Sequence, residues 1–416
     1  MDEHKILVGP FTQILCLADQ ALKGPLKDDQ ADIIQDGAIL IQGDRILEIG
    51  AFENLYKKHK NGPLELYEQQ QTAIALPAYV DAHTHICFAG SRARDYAMRN
   101  AGISYLEIAK AGGGIWDTVT HTRKASEERL TAGILQRMHV LKSQGIATVE
   151  IKSGYGLNVE EELKMLRAIK TASLEGPITA VPTCLAAHIK PRDFDGSHAD
   201  YLDYISDILF PVIKQEKLTK RIDIFVEEGA FSPEIARVYL QKAMDQGFEL
   251  TIHADQFSVG GSRLAVELSA LSADHLEASG KEEIQLLAAS DTVAMALPGA
   301  SMGLGCDFTP ARKLLDAGAC LAIASDWNPG SAPMGDLVTQ ASVMATFEKL
   351  TNLEVLAGIS FRAAFALRKN DIGRLKPGFR ADFNIYDVDD YNEILYHQGT
   401  LKPCQTWLGG KMSETI

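Results

Sequence analysis

Two histidines separated by a single residue, His83 and His85, stand at the end of the mainly apolar segment 76–82. Side chains alternate between the two faces of a β-strand, so residues two apart lie on the same side. The two imidazoles are therefore placed to bind one metal ion. Because such a pair also arises by chance, it is compatible on its own with a metal site or with ordinary core histidines.

Three later segments also end in residues that bind metals. His253, His275 and Asp326 each stand where a short apolar run meets a polar stretch. A site for one ion needs about three to five nitrogen or oxygen ligands, with one position open to water. Four residues supply such ligands: His83, His85, His253 and Asp326. His275 then remains as an unligated base or proton shuttle. The alternative is a set of hydrogen-bonded core histidines and an aspartate that caps a helix.

Hydrophobic periodicity predicts the elements that position these residues. Short apolar runs alternate with segments of helical period, such as 160–173, 232–246 and 281–289. Alternation repeated eight times over roughly 290 residues is typical of a (β/α)8 barrel of the TIM type, which brings its strand ends together at one face. An open doubly wound sheet fits this count less well. We predict the eight strands at 79–84, 147–151, 179–185, 222–226, 249–252, 273–275, 292–297 and 321–325.

Both ends of the chain have β-like patterns. Apolar runs at 6–8, 13–17, 37–41 and 45–49 are broken by Gly and Asp, as in hairpins, and similar runs recur at 381–387 and 406–408. We predict a small composite β-sandwich domain built from both termini. The predicted domains are therefore 1–74 and 376–416 for the two parts of this domain, and 75–375 for the barrel.

Composition excludes several classes of partner. The 416 residues are 46% hydrophobic and 23% charged, with a formal net charge of −14. Such a chain repels nucleic acids and anionic membrane surfaces. Its longest apolar runs are far shorter than the roughly 18 residues of a membrane-spanning helix, and its start lacks the features of a signal peptide. Six scattered cysteines form no C-x-x-C pair. We expect a cytoplasmic protein with reduced thiols.

The motif around the histidine pair resembles the start of the amidohydrolase superfamily, whose members share P-x-x-V-D-A-H-T-H, strand-end His, His and Asp, and a β-domain made from both termini. Further stretches resemble one group within that superfamily and extend over nearly the whole chain. These more selective stretches are 89–92, 104–108, 112–115, 152–157, 186–188, 272–276 and 325–329.

The resemblance implies a reaction, a cofactor and an assembly. The reaction is hydrolysis of the ring amide of 4-imidazolone-5-propanoate to N-formimidoyl-L-glutamate. Attack on a lactam carbonyl at neutral pH needs a water whose pKa is lowered by a metal. We expect one divalent or trivalent ion per chain, with zinc favoured by three imidazoles and one carboxylate, and iron or manganese also possible. The resemblance implies a homodimer. Two alternatives are a related cyclic amidase or deaminase acting on another small acidic heterocycle, and a catalytically silent barrel.

The same resemblance assigns residues to the substrate. The guanidinium of Arg92 matches the geometry of a carboxylate and would hold the propanoate tail. Tyr105 would add a contact to the tail or ring. Five further positions match the ring: Tyr155, His188, Asn328, Gly330 and Ser331. Each assignment has an ordinary alternative, since Arg92 can pair with Asp95, Tyr155 can be a turn aromatic and Tyr105 can be core packing.

Two positions depart from the superfamily pattern. Many members bridge two metals with a lysine at the end of the fourth strand, but the run 222–226 ends here in Glu227-Glu228-Gly229, which predicts one metal. Gln256 stands where the resemblance implies a glutamate, and an amide cannot act as a carboxylate base. Gln256 could still bind the ring while Asp255 or His275 takes the proton. We therefore predict His275, Asp326 and Gln256 as the catalytic residues.

Overall fold

The computed structural model describes residues 4–69, 71–103, 107 and 111–413, and these residues form two eight-stranded sheets. In chain order the strands are β1 (Lys5–Leu15), β2 (Ile33–Gln42), β3 (Arg45–Ala51), β4 (Leu64–Glu68), β5 (Ile74–Pro77), β6 (Tyr79–Asp81), β7 (Ile146–Lys152), β8 (Thr179–Ala187), β9 (Arg221–Val226), β10 (Glu249–Ala254), β11 (Ser272–His275), β12 (Val293–Ala296), β13 (Leu321–Ile323), β14 (Phe383–Tyr386), β15 (Gln405–Leu408) and β16 (Lys411–Ser413).

Helices separate most barrel strands, and several begin at a polar side chain that accepts a free backbone N–H, as Asn158, Ser197 and Thr351 do. Within the described residues, no helix is long and apolar enough to cross a membrane. In chain order the helices are α1 (Phe52–His59), α2 (Ala93–Asn100), α3 (Ile115–Lys124), α4 (Glu127–Ser143), α5 (Val159–Glu175), α6 (His198–Glu216), α7 (Pro233–Asp245), α8 (Gly261–Glu267), α9 (Lys281–Ala288), α10 (Pro298–Leu304), α11 (Ala311–Ala317), α12 (Leu337–Glu348), α13 (Asn352–Gly358), α14 (Phe361–Ala366) and α15 (Asn392–Tyr396).

Strands β6 to β13 form the parallel barrel, in sequence order, and each of the eight predicted runs overlaps one of them. The barrel is nearly closed, because the chain after β6 meets the chain after β13. There the His85 backbone N–H donates to the Trp327 carbonyl at 2.9 Å, and the Asp326 N–H donates to the His83 carbonyl at 3.0 Å. The prediction of a (β/α)8 barrel is confirmed, and its closure brings the segment 83–85 next to the segment 326–327.

The remaining strands form one branched sheet from both ends of the chain, in the order β16-β15-β14-β5-β1-β2-β3, with β4 also paired to β1. Its origin in both termini is confirmed. The runs predicted separately at 6–8 and 13–17 belong to the single strand β1, whose pairing shifts register between Val8 and Phe11. Pro10 has no N–H to donate, and such a shift accommodates it. The domain limits 1–74, 75–375 and 376–416 remain proposals.

Candidate metal centre and active site

Three histidines and one aspartate converge at the carboxyl ends of the barrel strands. His85 Nε2 lies 3.2 Å from the Nε2 atoms of both His83 and His253. Asp326 Oδ1 lies 3.5 Å from His83 Nε2 and 3.3 Å from His85 Nε2. Tetrahedral ligands about 2.1 Å from an ion are separated from one another by about 3.4 Å. The three imidazole nitrogens, with Asp326 beside two of them, therefore have the spacing of a single metal site.

Hydrogen bonds on the far side of two of these rings fix which nitrogen faces the centre. Asp274 Oδ2 lies 2.7 Å from His83 Nδ1, and Asp223 Oδ2 lies 3.1 Å from His253 Nδ1. Burial raises the pKa of Asp274 to about 7. In its ionised form each carboxylate only accepts, so that each Nδ1 carries the hydrogen and each Nε2 presents a lone pair. Burial also lowers the pKa of His253 to about 4. The Nε2 lone pairs of His83 and His253 both face His85 Nε2, which carries at most one hydrogen to donate. A cation between the three nitrogens would satisfy all of them, so these residues fit a metal ion.

The strongest backbone strain near the centre is at His275, the last residue of β11. Its φ is +91°, and the following Leu276 has a φ of +72°. Thr309 donates its hydroxyl hydrogen to the His275 carbonyl, and the Leu276 N–H donates to Ala254 at 3.0 Å. Non-glycine residues at positive φ cost about 1–3 kcal/mol and are held by their surroundings, often at functional sites. The turn therefore fixes the His275 ring, whose centroid lies 5.4 Å from that of His253.

A buried carboxylate that sequence reasoning missed faces this ring. Glu277 Oε2 lies 3.7 Å from His275 Nδ1, and neither atom has a hydrogen-bond partner among the described residues. The other carboxylate oxygen of Glu277 accepts a hydrogen bond from Ser301 Oγ at 2.9 Å. Burial alone would lower the pKa of His275, but the carboxylates of Glu277, Asp326 and Asp274 together outweigh it, and the pKa is raised. The sequence signal for Glu277 was its position two residues after the strand-end His275.

His188 and Tyr155 form one wall beside the centre. The His188 ring is stacked on that of His85, with centroids 5.6 Å apart, and the Tyr155 ring lies 5.6 Å from His188. His188 Nδ1 lies 3.0 Å from the Gly154 carbonyl, which assigns the hydrogen to Nδ1 and leaves Nε2 as an acceptor. Burial lowers the pKa of His188 to about 3, so the ring is neutral.

The loop that carries Tyr155 is held by another buried carboxylate that sequence reasoning missed. Glu162, at the start of α5, accepts the backbone N–H groups of Gly154, Gly156 and Leu157 at 3.1, 2.7 and 2.8 Å. A Cβ at Gly156 would lie 2.5 Å from the backbone nitrogen of Glu162, so only glycine fits there. Residues 152–157 are therefore a rigid part of the site.

Arg92 makes the ordinary contact weighed above and also lines a cavity. Its Nε donates to Asp95, which also accepts the Gly114 N–H at 2.8 Å. The guanidinium borders a cavity of about 280 Å³ together with Tyr96 and Trp327. A Cβ at Gly330 would lie 3.1 Å from Arg92 Nη1, so this part of the chain packs closely on the guanidinium. Pairing with Asp95 thus orients Arg92 toward the cavity.

Asn328 uses both groups of its side-chain amide within its own turn. Its Oδ1 accepts the N–H groups of Gly330 at 2.7 Å and Ser331 at 2.8 Å. Its Nδ2 donates to the Asp326 carbonyl at 2.7 Å and to Ser331 Oγ at 3.0 Å. Asn328 therefore shapes the turn that follows the candidate ligand Asp326, and its predicted contact with the substrate remains a prediction. Tyr105 lies outside the described residues.

The two residues after the His253–Ala254 strand end differ in their surroundings. Asp255 is buried, and four donors occupy its carboxylate: the Gly260 N–H at 3.0 Å, the Ser262 N–H at 3.1 Å, the Ser279 hydroxyl at 2.8 Å and the Ser262 hydroxyl. Gln256 is partly buried, and its predicted contact with the substrate ring remains a prediction. Asp255 is thus a fixed anchor for the loop, which leaves His275 as the candidate base.

A buried lysine lies beneath the metal ligands, inside the barrel. Lys152 Nζ lies 2.8 Å from Glu150 Oε2, 2.8 Å from Asp223 Oδ2 and 3.8 Å from Asp274 Oδ2. Burial would lower the pKa of Lys152, but these three carboxylates outweigh it and raise the pKa. Sequence reasoning assigned Lys152 no role. The available signal was the alternation Thr148, Glu150, Lys152 along an otherwise apolar strand, which puts polar groups on the inner face of a barrel.

Comparison with known proteins agrees with this fold. The model of the amidohydrolase family matches residues 108–412. The solved structure of an ochratoxinase from A. niger superposes with a TM-score of 0.71 at 14% identity, covering 99% of this chain and 96% of that one. An adenosine deaminase from Xanthomonas campestris with bound zinc gives a TM-score of 0.69 at 16% identity, covering 98% and 92%. At these identities the two structures show the fold alone.

Curated relatives narrow the family. An imidazolonepropionase from Bdellovibrio bacteriovorus is 39% identical over 400 residues, covering 95% of this chain and 93% of the relative. One from Rubrobacter xylanophilus is 40% identical over 381 residues, covering 90% and 91%. The chain therefore belongs to the amidohydrolase family, and within it to the imidazolonepropionases.

Proposed function

We propose that this chain hydrolyses the lactam C–N bond of 4-imidazolone-5-propanoate to N-formimidoyl-L-glutamate, a step of histidine degradation. The observation that carries the proposal is the convergence of His83, His85, His253 and Asp326 beside the strained, unligated His275, in a chain about 39% identical to a curated imidazolonepropionase over nearly its whole length. A water activated at such a centre attacks the ring carbonyl, and the ring opens at the neighbouring nitrogen.

One zinc ion is the proposed cofactor, with iron or manganese as the alternatives. Three neutral imidazoles and one carboxylate suit zinc first. Iron and manganese are alternatives because nitrogen and oxygen sites select these metals by availability as well as affinity. When bound, the ion lowers the pKa of a water and polarises the ring carbonyl. Its ligands are His83, His85, His253 and Asp326.

His275 is the proposed base and acid. Nδ1 of its ring faces Glu277, so Nε2 is the atom that takes a proton from the attacking water and delivers it to the leaving ring nitrogen. The Glu277 carboxylate orients the ring through its charge, since its Oε2 faces Nδ1 at 3.7 Å. Asp255 cannot share this work, because four donors already occupy its carboxylate. Gln256 contributes amide hydrogen bonds to the substrate ring.

The substrate is held between the cavity beside Arg92 and the wall of His188 and Tyr155. Arg92 gives its Nε hydrogen to Asp95, which leaves the edge formed by Nη1 and Nη2 for the propanoate. Nε2 of His188 accepts from a ring N–H, and the Tyr155 ring packs on the heterocycle. The turn around Gly330 and Ser331 closes the site against the guanidinium.

The test is a substrate panel with metal-analysed protein. The purified chain should contain about one zinc ion and should remove the ultraviolet absorbance of 4-imidazolone-5-propanoate without releasing ammonia. Release of ammonia would instead indicate a deaminase. Absence of turnover in protein that holds its ion would overturn the proposed function. The proposed homodimer is measured separately by light scattering. The six free cysteines support the proposal that the enzyme works in the reducing cytoplasm.

A further inference from the structure

Lys152 is one of the largest fully buried side chains of the protein, and it lies among three carboxylates that are equally buried. A charged group inside a protein is costly to desolvate, and replacing a buried ion pair by apolar side chains is often neutral or stabilising. Stability alone therefore gives a weak reason for a lysine at this position. The contacts of Lys152 with Asp223 and Asp274 suggest a functional reason.

Asp223 and Asp274 are the carboxylates that hold two of the metal ligands. Asp223 accepts from His253 Nδ1 and Asp274 from His83 Nδ1, so each keeps one imidazole turned with Nε2 toward the centre. Ligand atoms of Asp223, His253 and Asp274 also lie within 4.8 Å of one another, which is the spacing of a second cation site. The ammonium of Lys152 lies against both carboxylates.

We infer that the Lys152 ammonium takes the place of a second cation and holds Asp223 and Asp274 as acceptors for the histidine Nδ1 hydrogens, so that the barrel binds one metal ion tightly. Lys152 is thus a positioning residue that acts through the two aspartates. Without it, the carboxylates of Asp223 and Asp274 would face each other beside the ligands with no cation between them, and their repulsion would turn one of them away from its histidine. Carboxylates that orient ligands in this way typically change metal affinity 10- to 100-fold when lost.

Glu150 provides the matched control within the same buried cluster. It contacts Lys152, but its other partners are Thr183 Oγ1 at 2.5 Å and Arg221 Nε at 3.7 Å, and it touches none of the metal ligands. Glu150→Gln disturbs the network while leaving Lys152 against Asp223 and Asp274. The double variant Lys152→Met, Glu150→Gln removes one charge of each sign, so its net charge equals that of the wild type.

The experiment measures zinc affinity by competition with a chromogenic chelator, and zinc content by elemental analysis, on full-length protein whose folding is checked by circular dichroism. Lys152→Met should bind zinc about 10- to 100-fold more weakly, or should take up a second zinc ion in the vacated position. Glu150→Gln should stay within about threefold of the wild type. The double variant should remain as weak as Lys152→Met, and it keeps the test available if the single variant fails to fold.

Two results would overturn the inference: one zinc ion bound by Lys152→Met at wild-type affinity, or recovery of wild-type affinity in the double variant, which would show that Lys152 only balances charge. The inference rests on the metal centre of the proposed function, but its measurement needs no substrate. Failure of the wild type to bind zinc would count against the proposed function, whereas a zinc-binding wild type with unaffected variants counts only against the role of Lys152.

Discussion

The two eight-stranded sheets of this protein differ in what they bury. The terminal sheet encloses an apolar cluster that includes Val8, Phe11, Ile39, Phe383 and Trp407, each at most 1% exposed. The barrel encloses charged and ligand-type residues that are similarly buried: Glu150, Lys152, Asp223, His253 and Asp274. Apolar burial stabilises a fold, whereas buried charge costs free energy unless it is paired. The sheet is therefore organised for stability and the barrel interior for chemistry.

Strand β7 shows how the barrel combines apolar packing with a buried charged network. Val149 and Ile151 belong to the main apolar cluster, while Glu150 and Lys152 belong to the polar network at the metal ligands. Because side chains alternate along a strand, one face can pack against the surrounding helices while the other carries charge. The helices supply the stability that the polar interior does not, and the ligands gain a rigid frame.

The largest expected effect comes from removing a ligand. His83→Ala should lose both the metal and all measurable activity, because three ligands remain and Asp274 loses the imidazole it orients. Elemental analysis and the imidazolone absorbance assay measure the two losses. Since the apolar clusters are untouched, thermal unfolding should show a folded protein. Full retention of the metal in this variant, or two ions per chain in the wild type, would refute the four-ligand assignment.

The next largest effect separates proton transfer from metal binding. His275→Ala should keep its ion and lose roughly 10²- to 10⁴-fold in kcat, with a smaller change in KM, because general acid–base groups contribute by this amount. Steady-state kinetics on metal-analysed protein give the answer. If the variant loses its metal instead, His275 is a ligand, and the assignment of the base must change.

A third prediction tests the terminal sheet. Phe383 is fully buried and stacked on Trp407, with ring centroids 5.5 Å apart. Phe383→Ala should lower the free energy of unfolding by about 3–5 kcal/mol, as aromatic truncations in cores do, while zinc content and kcat below the unfolding transition stay unchanged. Urea denaturation measures the first effect. A variant with full stability and impaired zinc binding would contradict the division of roles between the two sheets.

The eight strands, the composite sheet and the converging ligands were predictable from sequence because each depends on local alternation and on where strands end. The partners of the ligands were not. Asp223 and Asp274 reach histidines 30 and 191 residues away in sequence, and only the strand order and the inward orientation of both strands bring each pair together. Contacts between residues so far apart leave no local pattern in the sequence from which they could be predicted.

Some local contacts could be predicted from the sequence. Arg92 and Asp95 are three residues apart on one helical turn, and their pairing was foreseen as an alternative. Other contacts depend on the exact path of two loops. In one loop the Asn328 amide forms hydrogen bonds within its own turn, and in the other Asp255 accepts hydrogen bonds from four donors. Side-chain chemistry identified these positions as polar and close to the site, and only the fold decides whether their groups are free.

The smallest effect concerns the edge of the site that faces the substrate tail, where the barrel interior gives way to the cavity beside Arg92. With Nε committed to Asp95, the Nη1–Nη2 edge can bind the propanoate through two parallel hydrogen bonds, which a lysine cannot reproduce. Losing a hydrogen bond to a charged group costs about 1.5–3 kcal/mol, so Arg92→Lys should lower kcat/KM by roughly 10- to 100-fold. Arg94→Lys, at an exposed arginine of the same helix, is the matched control and should change little.

A substrate analogue without the carboxylate completes this last test. It should be poor for the wild type yet almost insensitive to Arg92→Lys, because the contact that the substitution weakens is already absent. Steady-state kinetics for the two proteins with the two substrates form a double-mutant cycle, and the coupling between guanidinium and carboxylate is its non-additive part. If the two losses multiply as independent effects, Arg92 does not hold the tail. The ion pair with Asp95 would then be the whole role of Arg92, and the polar network of the barrel would end before the cavity.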